Sequence, residues 1–469
     1  MFEKQKIPAL VSIGLFTFMS TLDGSIVNVA LPTIARELAI PLSQATWVVT
    51  IYLVIISGLI VLFGRLGDLL GKTTVFRYGM MIFTIGSLLS GINLGLPFLL
   101  FARSFQAIGA SMTMSNSFGI TSTLFPPNQR ARAMSIIAMF VSLGSIAGPA
   151  IGGLILSIAN WSYIFWINVP IGAIAFWVGN RYLPKEKPLG TLREVDWLGA
   201  CQLLMTMLLF FLGMNSGQSI GWHHVLVWLL LLLSGLTFAS FIWQEKRSPS
   251  PLLNLHIFDN HTFGVSVLLS AMFFTVNAYV NILTPFYLQN FRGWSAGMAG
   301  IIMMSIPASM FVFAPISGIL SDRYNKEIIT LIGISGLIVS QIGFLIFGQA
   351  TPIWLIVTIL LLTGMSAGIF QSPNSALVMA SVNKQYLGIA GSINALGRNV
   401  AFVFGNIFAT TILFLLMSQQ AGHRVTTYDS QHPSLFMTAM HNSLYFSLTL
   451  AIVAWLLTAK RLFQTKKSS

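Results

Sequence analysis

Asp23 is the residue whose type and position most demand a chemical role. Of twelve acidic residues it is the one placed well inside an apolar stretch. An ionised side chain at the centre of a membrane helix costs about 2.5–3.5 kcal/mol on insertion scales. Hydrocarbon favours the neutral carboxyl and a nearby cation favours the carboxylate, so a group pulled both ways can exchange a proton as its surroundings alternate. A structural ion pair tying helices together is the alternative. Arg103, also inside an apolar stretch, is the natural partner, unless it snorkels to the outer interface. Gln106 and Asn116 follow on the same stretch and suit either substrate contact or interhelical hydrogen bonding. Arg398 is a second intramembrane cation; it attracts an anion, pairs with carbonyls or serves packing, and packing is the favoured reading. No nucleophile–base constellation is evident. Neither G-x-x-x-x-G-K-[ST] nor H-E-x-x-H occurs, which argues against an ATP-driven pump and a zinc site. The single cysteine, Cys201, excludes an intrachain disulfide and a Cys-rich metal site.

The elements that hold these residues are membrane helices. The 469 residues are 55% hydrophobic and 8% charged, against about 25% charged in a soluble domain. Net charge is +13, but the positive residues fall between apolar spans and not on one domain, which argues against nucleic acid. The start of the chain is basic and leads into an apolar run too long for a signal-peptide core, so it reads as a retained first helix. A span needs roughly 20 apolar residues. Fourteen are expected, near 8–33, 44–63, 75–92, 97–122, 134–158, 163–183, 197–215, 223–244, 262–288, 296–320, 328–347, 352–375, 388–417 and 440–460. With the N-terminus inside, twenty of the 25 Lys and Arg fall in cytoplasmic segments; omitting one helix scrambles this bias. Both termini are therefore expected in the cytoplasm.

Gly64-Arg65-Leu66-Gly67-Asp68 follows the second span and Gly318-Ile319-Leu320-Ser321-Asp322-Arg323 the tenth, both G-x-L-x-D at an expected cytoplasmic turn. A repeat of like orientation implies two halves related by an axis along the membrane normal. The expected organisation is a six-helix half at 1–187, two inserted helices with their linkers at 188–256, and a second six-helix half at 257–469. Asp68 can meet the N-terminal end of a neighbouring helix or a basic group and so latch one state. In the fifth span, Gly144-Ser145-Ile146-Ala147-Gly148-Pro149-Ala150-Ile151-Gly152-Gly153 describes a helix with one nearly bare face, which lets a neighbouring backbone approach, and a proline that removes a backbone donor.

This G-x-x-x-G-P-x-x-G-G string resembles the antiporter motif of the drug:proton antiporters of the major facilitator superfamily. Leu22-Asp23-Gly24-Ser25-Ile26-Val27-Asn28-Val29-Ala30-Leu31-Pro32 is similar to the first-helix motif of their fourteen-helix branch, the quaternary-ammonium and multidrug resistance type. Arg103-Ser104-Phe105-Gln106-Ala107-Ile108-Gly109 is similar to the R-x-x-Q-G motif of the fourth helix, with Ala107 where Gly is usual. Gly64 to Lys72 resembles the loop motif G-x-L-x-D-R-x-G-[RK], with Leu69 where Arg is usual; in the second copy Arg323 matches and Asn325 replaces Gly. Trp161 and Asn168-Val169-Pro170-Ile171-Gly172 resemble the turn into the sixth helix, with Ser162 for Arg, and are read as structural. Gly388 to Arg398, with Asn394 and Asn399, resembles the thirteenth-helix pattern.

The resemblance covers nearly the whole chain. It implies an all-α major facilitator fold of fourteen transmembrane helices in a bacterial cytoplasmic membrane. It implies proton coupling at Asp23 with Arg103, and gating at Asp68, Lys72, Gly144, Gly148, Pro149, Gly152, Gly153, Asp322 and Arg323. The expected activity is proton-driven export of lipophilic monocations, zwitterions or neutral compounds, with carriage of one metabolite, antibiotic or lipid as the rival. A cavity between the halves is expected to draw on Asn28, Gln106, Asn116, Phe273, Phe274, Asn277, Tyr279, Asn281, Gln371, Asn374 and Arg398, whose aromatic faces suit flat lipophilic or cationic compounds but equally serve packing. Met303, Met304 and Met310 offer an adaptable wall or core filling. Expected partners are the bilayer, protons and small lipophilic drugs, with no nucleic acid, no cofactor beyond the proton gradient, no metal and a monomeric state. His423 and His432 fall in an external loop, 418–439, with no metal-site pattern.

Overall fold

A computed structural model of the chain describes residues 6–40, 42–45, 47–186, 188–248, 251–253, 255–383, 386–422 and 433–468. Every apolar run becomes helix, because a backbone in hydrocarbon must satisfy its own N–H and C=O groups. The helices are α1 (Lys6–Glu37), α2 (Leu42–Ala45), α3 (Trp47–Leu70), α4 (Lys72–Ser90), α5 (Leu96–Leu124), α6 (Arg130–Ile158), α7 (Tyr163–Trp166), α8 (Asn168–Tyr182), α9 (Trp197–Ser219), α10 (Val225–Arg247), α11 (His261–Pro285), α12 (Ala296–Met303), α13 (Ser305–Arg323), α14 (Lys326–Phe344), α15 (Ile353–Ala380), α16 (Leu387–Ala421) and α17 (Pro433–Ser468). Counting α7 with α8 and α12 with α13, fourteen membrane-length helical stretches are present among the described residues. Twelve meet a length-and-hydropathy measure of a membrane span. The two outside it, α4 and α5, are the polar ones: α4 opens on Lys72 and Arg77, and α5 carries Arg103, Gln106, Asn116 and a run of Ser and Thr.

Helix ends depart from the expected turns. Gly64 to Asp68 is not a turn but the last part of α3, and Gly318 to Arg323 likewise closes α13. The apolar run marks where hydrocarbon ends; the helix continues beyond it while its hydrogen bonds and packing persist. Gly71 separates α3 from α4 at φ 97°, a conformation that favours glycine. Ser418 to Ala421 and residues 433–439, expected in an external loop, are helical, and 423–432 lie outside the described residues.

The chain forms two compact units. Unit 1 holds Met1–Phe263 and Val378–Leu396; unit 2 holds Gly264–Leu377 and Gly397–Ser469. In unit 1, α1 packs on α6 and α8, α5 on α3 and α4, α9 on α3, and α10 on α9. In unit 2, α11, α14, α15, α16 and α17 bury one apolar cluster that includes Tyr279, Leu283, Phe344, Ile356, Leu413 and Met440.

Candidate functional site

The centre of unit 1 is built by close helix contacts. A β-carbon at Gly144 would lie 2.6 Å from the Phe18 carbonyl oxygen, and one at Gly148 would collide with Ser25 Oγ. The bare face of α6 thus lies on α1 beside Asp23, and Ser25 Oγ donates to the Gly144 carbonyl at 3.2 Å. Gly152 meets Ile26 on the same face, whereas Gly153, expected to extend it, points into open space. The helix continues unbroken through Pro149. On α4, Gly86 admits the backbone of Gln106, so that α5 approaches closely.

Asp23 is fully buried, as is Gln106, and Arg103 is 1% exposed. Arg103 Nη1 lies 2.6 Å from Asp23 Oδ2. Its Nε donates to the Val48 carbonyl at 3.2 Å, and Nη1 also donates to Gln106 Oε1. Its guanidinium sits 4.2 Å from the Tyr52 ring centroid and 5.4 Å from that of Phe165. Arg103 therefore points inward to Asp23. Asp23 Oδ1 accepts from Gln106 Nε2 at 3.0 Å and from Asn168 Nδ2 at 2.8 Å. Gln106 Nε2 also donates to Ser87 Oγ at 2.8 Å. Asn168 opens α8, where Pro170 supplies no backbone N–H and the chain breaks at Ile167 between α7 and α8. The result is a carboxylate held by a guanidinium and two amides from α5 and α8.

A second carboxylate, Asp68, sits on the last turn of α3. Its two oxygens accept from the backbone N–H groups of Gly388 at 2.9 Å and Ile389 at 3.0 Å, the first turn of α16. Lys72 Nζ completes the group 2.7 Å from Oδ1. This is a capped helix N-terminus, where negative charge is favoured. The counterpart Asp322 is partly buried and Arg323 exposed at the end of α13.

The expected cargo residues fall in both units. Asn116 is buried, donating to the Phe63 and Met112 carbonyls at 3.1 and 2.9 Å, and its amide fills the space beside Gly67. Asn28 is exposed. Tyr279 belongs to the core cluster of unit 2, and Phe273 stacks on Phe370 at 4.2 Å and 6°. Asn374 Nδ2 donates to the Ser266 carbonyl at 3.0 Å. All three side chains are buried. Phe274 lies beneath the Arg398 guanidinium at 5.5 Å, Asn281 Nδ2 bonds the Asn277 carbonyl at 3.0 Å, and Phe274, Asn281, Gln371 and Arg398 are partly exposed. Of the methionines, Met303, Met304 and Met310 are partly buried.

The Major Facilitator Superfamily profile matches residues 13–406. The chain belongs to this superfamily. It is a multi-pass membrane transporter and not an enzyme. It is 34% identical to the riboflavin transporter RibZ of Clostridioides difficile, over 99% of both chains. It is 29% identical to the multidrug resistance protein Stp of Mycobacterium tuberculosis, over 87% of this chain and 76% of that one, and 29% identical to the multidrug transporter protein MdtP of Bacillus subtilis, over 90% and 78%. The structure of the human organic anion transporter MFSD10 shares the fold, with a TM-score of 0.66 and 15% identity over 97% of this chain and 100% of that one.

Sequence reasoning missed three things in this major facilitator protein. Asn168 was read as structural, yet it touches Asp23; its signal was an amide in an apolar run directly before a proline turn. Tyr52 and Ser87 carry no such signal, being uncharged residues that do not stand out among their neighbours on α3 and α4. A buried ion pair also lies in unit 2: Arg461 Nε is 3.4 Å from Glu327 Oε1, and its Nη1 donates to Ser266 Oγ at 2.7 Å. Neither stands out in the sequence, because each adjoins another charge, Glu327 beside Lys326 and Arg461 beside Lys460.

Proposed function

We propose that the protein is a proton-coupled efflux antiporter for lipophilic monocations, zwitterions or neutral compounds, working by alternating access. The observation that carries this reading is a fully buried carboxylate, Asp23, held by Arg103, Gln106 and Asn168. Such a group stays charged only while its donors remain in place; separation of α1 from α5 leaves a carboxyl in hydrocarbon that takes up a proton. Asp23 takes its proton from the outer side and releases it inside in exchange for cargo. The membrane potential adds about 2.3 kcal/mol per charge per 100 mV. Asp68 with Lys72 acts as the latch of one state, Asp322 with Arg323 as its counterpart in the other half, and the glycine face of α6 as the surface on which α1 moves. The protein sits in the cell membrane with both termini in the cytoplasm, as the bias of positive residues supports. It acts as a monomer, with the bilayer, protons and drug as partners and no cofactor.

The multidrug names of several relatives favour broad export. The 34% identity to a riboflavin transporter over 99% of both chains favours a second reading, a carrier dedicated to riboflavin or a similar flat metabolite. Proteoliposomes under an imposed pH gradient test both, with ethidium and riboflavin as probes and Asp23→Asn beside the parent protein. Driven ethidium transport lost in Asp23→Asn is the expected result. Riboflavin alone being carried favours the second reading, and equal driven transport in parent and variant refutes coupling at Asp23.

A further inference from the structure

We propose that Asn168 is an amide switch that follows the proton on Asp23, donating to the carboxylate and turning over to accept from the carboxylic acid. This rests on the reading of Asp23 as the proton site. Three side chains bond Asp23 among the described residues, and all three donate: Arg103 to Oδ2, Gln106 and Asn168 to Oδ1. That set fits a carboxylate, which only accepts. A protonated Asp23 carries an O–H that needs an acceptor, because a buried donor without one is costly. Arg103 is donor-only. Gln106 is fixed: its Oε1 accepts from Arg103 Nη1, and its Nε2 donates to Ser87 Oγ, whose own hydroxyl donates to the Phe83 carbonyl at 2.9 Å. Turning Gln106 over would set its NH2 against the guanidinium.

Asn168 has no such tether. It is fully buried, and its Oδ1 has no hydrogen-bond partner among the described residues. A half-turn about its last side-chain bond exchanges Nδ2 for Oδ1 opposite Asp23 Oδ1. One end of the amide stays without a partner in both orientations, so the turn itself adds no unsatisfied group. Proton uptake forms one O–H bond on Asp23, breaks one in the hydronium that delivers it, which leaves as water, and raises the charge of the site by one; release to water reverses this, and Asn168 turns back. The titratable or charged groups facing Asp23 are Arg103 from α5 and the Tyr52 phenol from α3. The charges of α4, α6 and α8 (Lys72, Arg77, Arg130, Arg132 and Arg181) stand ten or more residues along those helices from Ser87, Gly144 and Asn168.

Infrared difference spectroscopy of the full chain reconstituted in lipid, acid minus alkaline, tests this without a transported probe. A protonated-carboxyl C=O band that disappears in Asp23→Asn identifies Asp23. The expected result is a side-chain amide band that changes with the same pH midpoint and vanishes in Asn168→Ala and in the bulkier Asn168→Leu. In those two variants the midpoint of the carboxyl band rises by less than about one pH unit, because the partner of the carboxylate and the partner of the acid are lost together; loss of a fixed donor to the charged form alone raises it by about one to two units. Asn168→Ser, whose hydroxyl both donates and accepts, keeps the midpoint near that of the parent. An amide band indifferent to pH, or a carboxyl midpoint raised by about a unit or more in Asn168→Ala and Asn168→Leu, overturns the switch. A carboxyl band that persists in Asp23→Asn overturns instead the reading of Asp23 as the proton site, and the switch falls with it.

Discussion

Arg103 holds three acceptors from one rigid fork: the Val48 carbonyl, Asp23 and Gln106. Removing Asp23's charge leaves this guanidinium uncompensated at 1% exposure, and breaking a buried pair on one side costs about 3–5 kcal/mol. Asp23→Asn should therefore lower the thermal midpoint of the purified protein, and Asp23→Asn combined with Arg103→Gln should recover much of that loss while driven transport stays abolished. A double variant as unstable as the two single losses summed would mean that the two residues do not interact. Asp23, Arg103 and Gln106 were legible in the sequence because charges and amides stand out in apolar runs. Their third partner was not. Asn168 lies 145 residues from Asp23, and no periodicity along one helix reveals which amide of another helix comes to face it.

Helices set this geometry through the surfaces they leave bare. The α6 string was readable as a packing face, and its contact is with α1 around Ser25 and Ile26. Which glycines make the contact was not readable at one-residue precision, since Gly152 and Gly153 differ by about 100° of helix rotation and only Gly152 meets α1. The two neighbours give a clean contrast. Gly148→Val forces α1 away from α6 and displaces Asp23 from Arg103, and a shift of about 1 Å at a reacting group costs on the order of a hundredfold in rate. Gly153→Ala meets nothing within 4 Å and should transport like the parent. Rates of driven transport at matched reconstitution decide between them; equal loss in both variants, or in neither, contradicts the contact assigned to α6. Helix termini were the least legible feature. An apolar run ends at the hydrocarbon boundary, but α3 continues to Leu70 and so places Asp68 on a helix and not in a turn.

At the scale of the whole molecule, α16 is divided between the two units, with its residues through Leu396 in unit 1 and those from Gly397 onward in unit 2. Asp68 and Lys72 hold its first turn, so a local change at Asp68 acts on a helix that continues into the other unit. Asparagine at this position keeps the size but presents one oxygen to two backbone N–H groups, and turns an NH2 towards donors that a carboxylate satisfied. It also leaves Lys72, 8% exposed, without its counter-charge. Hydrogen bonds to a charged group contribute about 1.5–3 kcal/mol each, so Asp68→Asn should cost roughly 3 kcal/mol of whatever state carries the cap. If that state is one of the two the transporter alternates between, driven transport falls far more steeply than thermal stability does. Lys72→Met in the same background removes the stranded ammonium and should restore stability without restoring the cap or the rate. Stability and rate recovering together would mean that Asp68 acts only as a partner for Lys72, and the capped turn of α16 would then have no part in the transport cycle.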